Sequence, residues 1–207
     1  MKELGIDIET YSSNDLPSCG VYKYTEADDF TVLLFAYAVD NGPVQIVDLA
    51  CGEQLPDEIR DALTDESVTK TAYNAAFERI CLSRFLGLPY MDPAQWQCTM
   101  VAAARLGLPL GLAQCGEVLR LTEGKMKEGA ALIRYFSLPG KNGRHMPSDA
   151  PEKWEVFKRY CIRDVEVEQA ILKKVRRLQP TATDEMLRVV DQTINDRGVM
   201  IDADLVA

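Results

Sequence analysis

Apolar and acidic positions alternate through Gly5-Ile6-Asp7-Ile8-Glu9-Thr10, so a strand there puts Ile6 and Ile8 on one face and Asp7 and Glu9 on the other. Further apolar runs predict strands at 31–39, 44–49 and 68–72, with Asn41-Gly42-Pro43 reversing the chain between the second and third. Past the fourth strand the pattern changes to helical spacing. Asn74 has the chemistry of an N-cap, Phe77, Ile80 and Cys81 make an inward stripe, and Gly87 followed by Pro89 predicts the stop. Ser148 or Asp149 ahead of Pro151 predicts another helix start, after which Trp154, Phe157 and Cys161 recur at spacings that bury one face. A helical stretch over 183–196 ends at Gly198, and Asp202 has the chemistry to cap one more helix. Strands first and helices through most of the remainder predict an α/β fold, a mixed sheet with helices on both faces.

Composition narrows the function classes. A chain of 207 residues, 47% hydrophobic and 27% charged, can bury a full core and reads as soluble. It has no run long enough to span a membrane, and its charged N-terminus is unlike a signal peptide, so a cytoplasmic location is expected. Six cysteines lack C-x-x-C spacing, which predicts reduced, mostly buried thiols rather than a zinc site. With neither a P-loop nor a dinucleotide fingerprint, no nucleotide cofactor is expected. The net charge of −9 weighs against extensive contact with a phosphate backbone. Positive charge is local: Arg120, Lys125, Lys127 and Arg134, then Lys141, Arg144 and His145 in a Gly-rich loop, which is either a strand-contacting or a simply solvated loop.

Three acidic constellations carry candidate chemistry. Asp7 and Glu9 aim two carboxylates at one spot, an arrangement that either meets water at a strand end or holds an oxygen-preferring divalent cation. Glu78 lies one turn into the helix opened by Asn74, where an acid also complements the helix dipole. Tyr160 and Asp164 are four apart and project from one helix face.

In this order, these segments resemble motifs I, II and III of the DEDD superfamily of 3′ to 5′ exonucleases, tyrosine subclass. Asp7-x-Glu9 with Thr10 matches the first, Asn74-x-x-Phe77-Glu78 the second, and Tyr160-x-x-x-Asp164 the third. The stretch 129–137, ahead of the third motif, is similar to the proofreading domain of phage-type family A DNA polymerases, and the tail 194–202 is similar to the entry into their polymerase portion. The resemblance implies an RNase H-like, mixed five-stranded sheet flanked by helices. It implies an exonuclease domain over 1–180, with 181–207 starting a truncated polymerase region that belongs to the same full-length chain. It also implies a pair of Mg²⁺ or Mn²⁺ ions held by Asp7, Glu9, Glu78 and Asp164, about 4 Å apart, with Tyr160 orienting water or phosphate. Thr10, Asn74 and Phe77 would bind the 3′ end of single-stranded DNA. Glu78 departs from the family's usual aspartate and places its carboxylate about 1.5 Å further from the backbone, which matters because octahedral Mg²⁺ tolerates little misplacement. The alternatives are an independent exonuclease acting on RNA ends, and a weakened exonuclease fold that binds nucleic acid or a partner without cutting.

Overall fold

The structure, a computed structural model, describes residues 1–121, 126, 128–140, 143–178 and 180–206. Lys125, Lys127 and Lys141, named above for their charge, lie outside the described residues. The strands are β1 (Glu3–Tyr11), β2 (Thr31–Val39), β3 (Gln45–Val47), β4 (Thr69–Ala72) and β5 (Trp96–Cys98). The helices are α1 (Leu16–Thr25), α2 (Asp57–Thr64), α3 (Ala75–Phe85), α4 (Thr99–Arg105), α5 (Leu112–Val118), α6 (Gly129–Phe136), α7 (Pro151–Val175), α8 (Ala182–Arg197) and α9 (Ala203–Val206).

The five strands form one mixed sheet in the order β3-β2-β1-β4-β5. β1 is central, antiparallel to β2 and parallel to β4, so the acidic strand is held by backbone hydrogen bonds on both edges. Its alternation divides as expected. Leu4, Ile6 and Ile8 join the core against α2 and α3, while α7 packs over the other face with Leu34, Ala36, Phe157, Cys161 and Val165. The register between β1 and β2 shifts between Glu9 and Thr10, a bulge at the strand's functional end.

Several local expectations are corrected. The reversal between β2 and β3 is carried by Asp40 and Asn41, at φ 50° and 60°, one residue earlier than the expected Asn41-Gly42-Pro43. Asp40 earns that conformation by accepting from the backbone N–H groups of Lys2 and Glu3, at 2.7 and 2.9 Å. The third strand shortens to Gln45–Val47, and β5, whose position no sequence pattern marked, forms by parallel pairing with β4. α7 starts at Pro151 without a side-chain cap, because Ser148 and Asp149 are used in a preceding 3-10 turn. The stop of α3 follows expectation, with Gly87 at φ 66° and Leu88 N–H returning to Ser83 O.

α8 is seated on the body by two ion pairs. Arg105 meets Asp184 at the surface. Arg79, fully buried on α3, grips Asp196 through both terminal nitrogens at 2.8 Å and also donates to Met91 O and Gln192 Oε1. Among the described residues no helix is long and apolar enough to cross a membrane.

Candidate active site

An open cleft of about 900 Å³ lies where the ends of β1, α3 and α6 meet the middle of α7, and all eight residues singled out in the sequence line it: Asp7, Glu9, Thr10, Asn74, Phe77, Glu78, Tyr160 and Asp164. β1 supplies the first three from the centre of the sheet. The first turn of α3 supplies Glu78, and the middle of α7 supplies Tyr160 and Asp164 one turn apart. Leu16, Tyr24, Ile133 and Leu138 add walls that the sequence did not disclose, because they come from segments with no acidic signal.

Asn74 occupies the N-cap position of α3, yet its side chain makes no capping bond and faces the cleft instead. Capping is therefore not what this residue does, and its amide remains available inside the site. Thr10 is held by a 2.8 Å hydrogen bond with the Tyr24 hydroxyl.

Glu9, Glu78 and Asp164 are buried and Asp7 is half-buried. Burial first, and then the charge of Asp7, push the Glu78 carboxyl well above the usual glutamate range. Its Oε2 is buried with no hydrogen-bond partner among the described residues. Burial, reinforced by Asp164 and Glu9, also drives the Tyr160 phenol far above its ordinary value, so it remains an O–H donor across the working pH range. Such a site is incomplete as protein alone. An all-oxygen carboxylate set, crowded, buried and with an orphaned oxygen, fits divalent cations of the Mg²⁺ and Mn²⁺ class.

One member of the cluster was missed. Ligand atoms of Asp7, Glu9 and Cys161 lie within 4.8 Å of one another. The fully buried Cys161 thiol donates to Asp7 Oδ2 at 3.4 Å and Asp7 O at 3.7 Å, and its pKa is raised by burial and the neighbouring carboxylates. It is thus a neutral S–H that orients Asp7, and a soft thiol suits Mg²⁺ poorly. The four other cysteines of the interior or its edge (Cys19, Cys81, Cys98 and Cys115) and the exposed Cys51 are also free thiols, as expected.

Gly129 is the second residue the sequence did not tie to the site. It opens α6, and a Cβ at this position would run into the Tyr160 ring. Tyr160 cannot retreat, being 1% exposed and stacked on Phe157. Only glycine lets α6 approach closely enough to wall this side of the cleft. The His145 ring stacks on Tyr135, with centroids 4.0 Å apart.

No protein-family model matches the chain. It is 54% identical, over 213 aligned positions, to a DNA polymerase of Bacillus phage SP02, an alignment that covers all of this chain and 33% of that protein. The chain thus spans about a third of the length of the curated relative it matches. Among solved structures, it superposes on Brucella melitensis NrnC with a TM-score of 0.57 and 16% identity, covering 98% of this chain and 91% of that one. The same protein with bound Mg²⁺ gives 0.54 at 16% identity, covering 98% and 90%. Escherichia coli RNase D, an exoribonuclease involved in structured RNA processing, gives 0.57 at 15% identity, covering 97% of this chain and 46% of that one. These likenesses establish the fold, an RNase H-like α/β fold with a mixed five-stranded sheet.

Proposed function

We propose that this chain, homologous along its whole length to part of a phage DNA polymerase, is a 3′ to 5′ exonuclease domain that proofreads for such a polymerase. It hydrolyses the 3′-terminal phosphodiester of single-stranded or frayed DNA and releases 5′-nucleoside monophosphates. The observation that carries the reading is the meeting of Asp7, Glu9, Glu78, Tyr160 and Asp164 in one buried-walled cleft. Residues 1–180 form the exonuclease unit, and 181–207 lead into a polymerase region of the same full-length chain, with α8 as the connecting helix.

Asp7, Glu9, Glu78 and Asp164 would hold a pair of Mg²⁺ or Mn²⁺ ions, which when bound would supply Lewis acidity to the attacking water and the departing 3′ oxygen. Asp7 is the shared carboxylate, steadied by the Cys161 S–H. Tyr160, kept protonated, donates a hydrogen bond that orients the attacked phosphate or the water. Thr10 and Asn74 bind the terminal nucleotide by its polar edges, and Phe77, with Leu16 and Ile133 as further apolar wall, takes its base.

The direct test is a 5′-labelled DNA oligonucleotide incubated with the chain and Mg²⁺, Mn²⁺ or EDTA. A metal-dependent ladder shortening from the 3′ end is expected. No ladder with either metal, from folded protein, sinks the reading in favour of a non-cutting module. RNase D among the structural neighbours makes RNA the second substrate to run, and an RNA ladder with intact DNA would select the ribonuclease alternative.

Glu78 tests the metal set. Its carboxylate already reaches the cleft from α3, so Glu78→Asp should retract it and lower turnover about tenfold. A tenfold rise would instead mark the native residue as a partial loss. Gly129→Ala should cost about a hundredfold in kcat by displacing the Tyr160 ring, with little change in the Mn²⁺ concentration needed for activity. Combined with Tyr160→Phe it should cost no more than the larger single effect, because both act through one hydroxyl; additive losses would refute that coupling.

A further inference from the structure

A strand with a negative charge at every linkage has to be held by a chain of net charge −9, so the question is which cation meets it near the carboxylates. Several described arginines are committed to acids: Arg79 to Asp196, Arg105 to Asp184, Arg176 to Glu3 and Arg188 to Glu185. Arg144 differs. Its guanidinium carbon lies 4.8 Å from the centroid of the Tyr11 ring, and its Nε is buried with no hydrogen-bond partner among the described residues. Burial lowers its pKa, while Tyr11 and Asp29 act in the opposite direction. Asp29 is itself engaged, its Oδ1 accepting from Ser13 N–H.

The placement under that cation is informative. Tyr11 ends β1 two residues after Glu9 and packs in the same apolar cluster as Tyr160 and Cys161. Two residues along a strand span about 7 Å, so an anion over Tyr11 sits about one nucleotide from the carboxylates. The segment is braced on both sides of Arg144. Gly140 and Gly143 exchange backbone hydrogen bonds of 3.0 and 3.2 Å, and His145 stacks on Tyr135, over which Lys153 also lies at 4.2 Å. A guanidinium lying over an aromatic ring keeps its edge N–H groups free for paired hydrogen bonds to phosphate.

We infer that Arg144, supported on Tyr11, is a phosphate-binding residue of the cleft and grips a linkage upstream of the scissile one as the single strand leaves the site. The inference rests on the exonuclease reading above. It accounts for strand retention by an acidic protein through a single well-placed fork rather than a basic surface.

The experiment uses single-stranded DNA oligonucleotides carrying one neutral methylphosphonate at successive linkages, with wild type, Arg144→Ala and the neutral, similarly sized Arg144→Gln. Both variants should raise KM about tenfold with kcat within about twofold, and the slope of log KM against log salt should fall by about 0.7. At one upstream linkage, methylphosphonate should weaken the wild type by a similar factor and leave the variants no worse. Unchanged KM and salt slope, or equal sensitivity of wild type and variants at every linkage, overturns the assignment. Thermal melts check folding, and should Arg144→Ala not fold, the Arg144→Gln scan decides. If wild type cuts nothing, the exonuclease reading itself fails. Fluorescence anisotropy of the same oligonucleotides, with and without the Arg144 substitution in an Asp7→Ala background, then reads the phosphate contact separately.

Discussion

Asp7→Ala is expected to abolish 3′-end cleavage, by about a thousandfold or more, while leaving the protein folded. Asp7 stands on the central strand, paired in register with Ala36 of β2, so its backbone is fixed by the sheet and does not depend on its side chain. The carboxylate is an electrostatic burden in the protein alone. It raises the pKa of Glu78 and Tyr160, and the Cys161 thiol, a weak donor, is directed at its Oδ2. Removing it relieves repulsion, and Cys161 retains Asp7 O as an acceptor. The melting temperature without metal should therefore equal or exceed that of wild type. The rise in melting temperature on adding Mn²⁺ or Mg²⁺, which measures binding to the folded state, should vanish. Gel assays and thermal melts with and without metal separate these effects. Residual cleavage at a tenth of the wild-type rate would sink the shared-ligand role.

Asp196→Ala carries the largest expected loss of stability, about 3–5 kcal/mol. Arg79 is fully buried and Asp196 nearly so, with 14% of its side chain exposed. The carboxylate also accepts from the Tyr22 hydroxyl at 2.7 Å, a bond that, with burial, raises the Tyr22 pKa. Truncating Asp196 leaves a guanidinium in the interior with Gln192 and Met91 as its remaining acceptors, and the cost is that of a stranded charge. Urea unfolding should show it as a fall in midpoint with little change in slope. Arg105→Ala, which breaks the surface pair to Asp184, is the control and should leave the midpoint where it was. Arg79 directly follows Glu78 on α3, so weakened docking of α8 should also disturb the carboxylate's position. A matching midpoint for the two variants would mean that α8 is not held by the buried pair.

Much of the site was legible because its signals are local. The acid–apolar alternation of Asp7 to Glu9 is a property of any strand, and the joint projection of Tyr160 and Asp164 is a property of any helix. Gly87 marked the end of α3 because a left-handed stop needs no partner elsewhere. The order of the three acidic segments carried the family resemblance and with it the fold.

What the sequence determined by itself was therefore the α/β class, the acidic strand and the residue types of the site. Only the tertiary structure decided which side chains meet, because those contacts depend on topology rather than periodicity. β5 is three residues long, too short to show a period, and exists by pairing with β4. Asn74 looks like a cap in isolation but is turned into the cleft that β1 and α7 complete. Gly129 has to be glycine because of a ring thirty-one positions later, at Tyr160. Cys161 reaches Asp7 across 154 positions, and Arg79 reaches Asp196 across 117. Burial strengthens the polar contacts among these, by removing the water that would otherwise satisfy the same groups, and no local pattern records it.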